Sequence, residues 1–234
     1  MPKWTVFCAG LPKRYSVYLA YALFCEGPSD FAYFEVLIPR VIAALVAEKG
    51  IRLVDTPTEP SVRLGEMDGS VRAVAAEACR RREAFHIVFV HSDVGGRGQE
   101  KRLDSRSISY CEQMSEICDF PQSRCVTLTP RHMMEAWALA DPDAVLGALG
   151  YKGSPASIGL PRDGGEAERL ADPKATLDFA VGRVTNDRRR GGHTFLPAIA
   201  QRQAMNALRR ASSFGDFESR LQVALRSLGT LRSD

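Results

Sequence analysis

Between residues 17 and 141 the chain alternates two patterns. Short unbroken apolar runs close on turn or acidic residues, and longer stretches are apolar at every third or fourth position. The first pattern reads as strands buried on both faces, the second as helices with one buried face. Val17 to Cys25 is the first apolar run, and it stops at Glu26-Gly27-Pro28-Ser29-Asp30. Gly27 and Pro28 break the backbone there, while Ser29 and Asp30 read as the cap and first turn of a helix. Phe31, Phe34, Ile38, Val41 and Leu45 then predict a helix over 29–48, kinked at Pro39 and ended by Gly50. Residues 51–55 and 61–65 are weaker strand candidates. Val71, Val74, Ala75, Ala78 and Cys79 give a helix over 69–83, and Arg80-Arg81-Arg82 suits the negative end of its dipole. A second buried strand runs from Phe85 to Asp93, followed by the loop Gly95-Gly96-Arg97-Gly98. A helix over 105–118 leads to a third strand at 124–128. Thr129 and Pro130 read as N-cap and first position of the next helix.

This alternation is the pattern of an α/β protein with a parallel sheet. Beyond Asp141 the strand signal stops. Helical pieces are expected at 142–149, 173–183, 195–210 and 214–228, with 151–172 as a Gly/Pro-containing connector. The chain therefore divides into an N-terminal extension (1–17), an α/β domain (18–141) and an all-helical C-terminal region (142–234).

Composition changes this picture in two places. The 234 residues carry a net charge of +3, but residues 181–234 hold ten Arg against four Asp/Glu, a net of +6, leaving −3 for the rest. A basic tail on a mildly acidic body fits either a phosphate-backbone contact or an arginine-rich solvated surface. The six cysteines contain no C-x-x-C pair, which excludes the common zinc frameworks. They read as reduced thiols, with Cys25 and Cys79 as small core residues, and so as a cytoplasmic protein. No apolar stretch reaches the roughly 18 residues of a membrane span. P-loop, G-x-S-x-G and H-E-x-x-H motifs are absent.

Three acidic positions carry the candidate chemistry: Glu26, Asp93 and Glu135. Glu26 and Asp93 both end buried parallel strands, so they share the sheet edge at which open α/β sheets bind ligands. On neighbouring strands, roughly 5 Å apart, they suit one hard cation, Mg²⁺ or Mn²⁺, bridging to a substrate phosphate. Glu135 lies on the apolar segment 131–141, where a buried carboxylate needs a partner. That partner is either Arg131, four residues earlier, or a metal or substrate. His91 precedes Asp93 by two and points to the same face, as a ligand, a proton carrier or a donor to phosphate. Lys101, Arg102, Arg131 and the Arg188-Arg189-Arg190 segment are candidates for gripping a phosphate backbone. His193 reads as a surface or helix-start residue.

Glu26-Gly27-Pro28-Ser29-Asp30 resembles the first motif of the Toprim domain, a strand ending in Glu-Gly-x-[Ser/Thr]-Asp. His91-Ser92-Asp93 stands where that family has Asp-x-Asp. The resemblance covers about 18–141, and Arg131–Asp141 with the helical tail is similar to small stand-alone bacterial Toprim-like proteins. Those are related to the overcoming-lysogenization-defect nucleases and often accompany ATPases in phage defence. The resemblance implies a four-stranded parallel sheet with helices on both faces. It implies a nuclease in which Glu26 acts as general acid/base and Asp93, with Glu135, holds Mg²⁺ or Mn²⁺. Histidine at position 91 departs from the family pattern and fits either Mn²⁺ or a domain that binds without cutting. The expected function is metal-dependent phosphodiester cleavage in DNA or RNA. The alternative is an inactive regulatory module that docks on an ATPase through its helical tail.

Overall fold

The computed structural model describes residues 16–65, 70–91, 100–187 and 191–232, with the backbone alone over 100–107. A four-stranded parallel sheet is built from β2 (Tyr21–Phe24), β4 (Val62–Leu64), β5 (Ile87–His91) and β6 (Cys125–Leu128), in the order β4-β2-β5-β6. Its central register sets Leu23 opposite Phe89 and Phe89 opposite Val126. A second, two-stranded parallel pair joins β1 (Val17–Tyr18) to β3 (Val54–Asp55).

Period-two alternation divides the strand residues between two apolar layers. Tyr21, Leu23, Ile87, Phe89, Val126 and Leu128 face α1 (Pro28–Lys49) and the C-terminal helices. Ala22, Phe24, Val88, Val90 and Cys125 face α2 (Val71–Arg80) and α3 (Glu100–Cys118). The sheet thus has helices on both faces, as expected. Helix α1 continues through Pro39, and its N-cap is Gly27, two residues ahead of the expected Ser29.

After β6 come α4 (Glu135–Ala138), α5 (Pro142–Leu149), α6 (Gly164–Ala167) and α7 (Pro173–Thr185). They are followed by α8 (Leu196–Arg202), α9 (Met205–Leu208) and α10 (Ser212–Ser227). This helical region shares the core of the first sheet layer. The Trp137 ring meets Phe34 at 6.0 Å, Phe214 at 5.2 Å and Phe217 at 5.4 Å, and Phe217 reaches Phe89 of β5 at 6.3 Å. Aromatic pairs at these spacings add to the area that they bury.

Polar joints fix the same interface. Gln203 is fully buried; its Oε1 accepts from Tyr33 Oη at 2.8 Å, and its Nε2 donates to the Trp137 carbonyl at 2.7 Å. Arg40 of α1 donates to the backbone carbonyls of Ala200 and Gln203. The buried Glu168 carboxylate accepts the N–H and hydroxyl of both Ser212 and Ser213, the first residues of α10. Trp137 Nε1 donates to Ser213 Oγ at 2.7 Å. Arg220 reaches from α10 to the Thr127 carbonyl at 3.3 Å and Thr129 Oγ1 at 2.9 Å, covering the outer edge of β6.

The expected reduced thiols are corrected in two pairs. Cys79 is bonded to Cys118 and Cys111 to Cys125, with Cα separations of 5.8 and 5.5 Å. Cys25 is buried in the layer that faces α1 and lies in neither of these pairs. Cys111 and Cys118, seven apart on α3, face different partners. One meets the start of β6, the other the end of α2. A linear spacing carries no record of that juxtaposition. No helix among the described residues is long and apolar enough to cross a membrane.

Two predictions follow from these joints. Burial raises the Glu168 pKa, but its bonds from Ser213 and Ser212 outweigh this and hold the folded-state value low. A depressed carboxylate stabilises the fold above its unfolded pKa, near pH 4, and that stability is lost as pH falls through the lower folded value. Glu168→Gln should cost roughly 2–4 kcal/mol at pH 7 and flatten the acid limb of a stability-versus-pH curve; an unchanged limb would show that the carboxylate is not what senses acid. For the sulfurs, denatured but unreduced protein treated with an alkylating agent should keep Cys79, Cys111, Cys118 and Cys125 unmodified in peptide mapping. Labelling of all four would refute the pairing.

Candidate functional site

The sheet order creates a place for a ligand before any side chain is considered. From β2 the chain turns into α1 on one face of the sheet; from β5 it goes on to α3 on the other. Successive connections that leave neighbouring strands to opposite faces open a crevice at the carboxyl edge between them, the topological switch point of a doubly wound sheet. β2 and β5 are direct neighbours, with Phe24 opposite Val90. Glu26 lies two residues past β2, and His91 is the last residue of β5.

Among the described residues, three buried ionisable side chains belong to the strands and connections at this edge: Asp30, His91 and Glu135. Asp30 occupies the N3 position of α1, where its Oδ2 accepts the Gly27 N–H at 3.1 Å, the N3 half of a capping box. His91 continues the alternation of β5 onto the α1 face, and its ring packs on Phe34 at 4.7 Å. Its Nδ1 lies 3.0 Å from the Leu128 carbonyl of β6. A carbonyl can only accept, so Nδ1 carries the proton. Nε2 then has the lone pair in the neutral ring, and it stands 3.9 Å from Asp30 Oδ2. A backbone carbonyl that holds one ring nitrogen and presents the other is the arrangement found behind metal-binding and proton-carrying histidines.

Glu26 is exposed at the rim of the crevice. Glu135 is buried, as expected, but its helix is shorter than expected. Residues 131–134 are bends and a turn, and α4 begins at Glu135 itself. Without helix over 131–134, the four-residue spacing does not stack Arg131 on Glu135, and Arg131 is exposed. The cause is His132, whose φ is +68°, with the Met133 N–H bonded to the Arg131 carbonyl at 3.0 Å. An i→i+2 closure around a non-glycine residue at positive φ is a strained γ-turn. Asp93, the Arg188-Arg189-Arg190 segment and the side chains of Lys101 and Arg102 lie outside the described residues. His193 is exposed in a single 3₁₀ turn.

Sequence reasoning missed His132 altogether. Its half-exposed ring makes no hydrogen bond among the described residues, and its strained backbone sits between β6 and Glu135. No local signal marks a histidine for positive φ. Among the described residues no three His, Cys, Asp or Glu side chains gather as a metal cluster. The carboxylate oxygens of Glu26, Asp30 and Glu135 have the chemistry a hard cation prefers, but these three do not gather into one cluster.

No family model, curated protein or solved structure matches the chain.

Replacing His132 with glycine removes the positive-φ penalty, so His132→Gly should stabilise the protein by about 1 kcal/mol, or about 2–4 °C in melting temperature. A lower melting temperature would mean that the ring holds the turn in place.

Proposed function

We propose that the protein is a divalent-cation-assisted phosphodiesterase of Toprim type, cleaving DNA or RNA in the crevice between β2 and β5. The observation that carries this reading is the switch point itself, bordered by Glu26 on one strand end and the oriented His91 on the other. Asp93 follows His91 by two positions in the sequence. Asp93, with Glu26 and Glu135, would hold Mg²⁺ or Mn²⁺. When bound, such an ion supplies positive charge to the phosphoryl oxygens and lowers the pKa of water.

The protein's own groups divide the remaining work. Glu26, exposed at the rim, takes a proton from the attacking water or returns one to the leaving oxygen. His91 is buried, with Nδ1 held by the Leu128 carbonyl and Nε2 turned toward Asp30, and it serves as ligand or proton carrier from that position. Asp30 holds the glycine turn that aims Glu26, through its bond to the Gly27 N–H. Lys101, Arg102, Arg131 and Arg188-Arg189-Arg190 supply positive charge for the backbone of the nucleic acid. A role in phage defence and a cytoplasmic place of action belong with this reading, although the two disulfides remove the reduced-thiol argument for the latter.

The second reading, a regulatory module that docks on an ATPase, draws on the lack of a three-donor cluster among the described residues. Calorimetric titration separates the two. Mn²⁺ and Mg²⁺ should bind the wild type saturably and fail to bind Asp93→Asn. Cleavage of labelled DNA and RNA oligonucleotides should fall about 10²-fold or more in Glu26→Gln, the usual contribution of a general acid/base. Absence of ion binding in the wild type at millimolar concentration, together with an unchanged phenotype for Glu26→Gln, would leave the docking module as the better account.

A further inference from the structure

A separate cleft opens on the helical region, and none of its lining residues belongs to the candidate site. It has a volume of about 540 Å³ and lies between the start of α5 and the α8–α9 corner. That volume is within the range of small-molecule sites. Three guanidinium groups line it from three different segments: Arg162 of the 151–172 connector, Arg202 at the end of α8, and Arg210 after α9.

The three are held to different degrees. Arg162 is tied to Glu166, whose Oε2 accepts its backbone N–H at 2.8 Å and its Nε at 3.0 Å. Arg202 lies along α5. A Cβ on Gly147 would meet its Cδ at 3.2 Å, and its Nη1 donates to the Ala198 carbonyl at 3.1 Å. Glycine inside a helix costs about 1 kcal/mol against alanine, and here its missing side chain is the seat of the arginine stem. The Arg210 side chain makes no hydrogen bond or ion pair among the described residues; its backbone N–H donates to the Ala207 carbonyl at 3.1 Å. Other arginines of the basic tail are already engaged: Arg209 by Glu48 and Glu218, and Arg220 by β6.

The cleft also contains two aspartates, and they bear on what can enter. Asp141 is occupied, with Oδ1 accepting the Ala144 N–H at 3.1 Å and Oδ2 the Ala204 N–H at 2.8 Å. Asp143 is exposed and makes no hydrogen bond or ion pair among the described residues. Together with Asn206 it offers acceptors beside the guanidinium groups. The cleft therefore needs a ligand with an anionic group for the arginines and hydroxyl or amino donors for Asp143 and Asn206.

We propose that this cleft binds a small phosphate ester on a hydroxylated carrier, a nucleotide or a sugar phosphate. Arg202 and Arg210 grip the phosphate in the planar, forked manner suited to it, Arg162 flanks it, and Asp143 accepts from the carrier. The proposal is independent of the phosphodiesterase reading.

The test is calorimetry on the full chain with three probes: inorganic pyrophosphate, ribose 5-phosphate and ADP, each without divalent cation. Ribose 5-phosphate or ADP should bind the wild type at micromolar to submillimolar concentration. Arg202→Gln/Arg210→Gln should weaken both at least about tenfold, since each lost charge-assisted contact is worth that much or more. The melting temperature of the ligand-free double variant should stay within about a degree of the wild type, because both side chains are exposed. Glu26→Gln should bind as the wild type does, which places the ligand outside the β2–β5 crevice. No binding of any probe at about 10 mM, or equal binding by wild type and double variant, would overturn the site. Asp143→Asn should weaken both esters and spare pyrophosphate. Equal affinity for all three probes, unmoved by that substitution, would overturn the hydroxylated carrier.

Discussion

The single turn of α4 is buried on every side, and much of the molecule is arranged around that fact. A helix of four residues has almost no internal hydrogen bonds of its own to offer, so its carbonyls must find partners elsewhere. Gln203, sixty-six positions after Trp137, supplies one to the Trp137 carbonyl, and Tyr33 of α1 holds Gln203 in turn. The Trp137 side chain then becomes the contact shared by α1 and α10. The helical region is therefore bound into the fold from within, since its residues complete the hydrogen bonding of a segment buried beneath them.

That arrangement also settles where Glu135 can be. The residue opens α4 directly after the γ-turn at His132, and both lie between β6 and the buried Trp137. His91 is held to the end of β6 through the Leu128 carbonyl, and Asp30 to the turn after β2 through the Gly27 N–H. His91 and Asp30 are thus each fixed by a backbone atom of the sheet or of the connection leaving it. Orientation comes from the strand ends, and Glu26 is the exposed member of the set.

The α/β class and the strand positions were legible because apolar runs and turn residues record burial directly. The lost first turn of the 130s helix was not legible. Thr129-Pro130 is a sound start signal, yet His132 at positive φ overrides it and α4 begins only at Glu135. The cysteine pairs were hidden for a different reason. Cys79 and Cys118 stand thirty-nine residues apart, and only the packing of α2 on α3 brings them together. Glu168 and Gln203 read as ordinary polar residues of helices and connectors. Their burial follows from the partners they serve, which a local window does not contain.

The two disulfides interleave, because Cys111 lies inside the 79–118 loop and Cys125 outside it. Strand β5, with His91 at its end, is enclosed in that covalent ring. A protease cutting the backbone once anywhere from residue 80 to residue 117 therefore releases nothing. The two pieces stay joined through sulfur, and the nick becomes visible as two fragments only after a reductant is added.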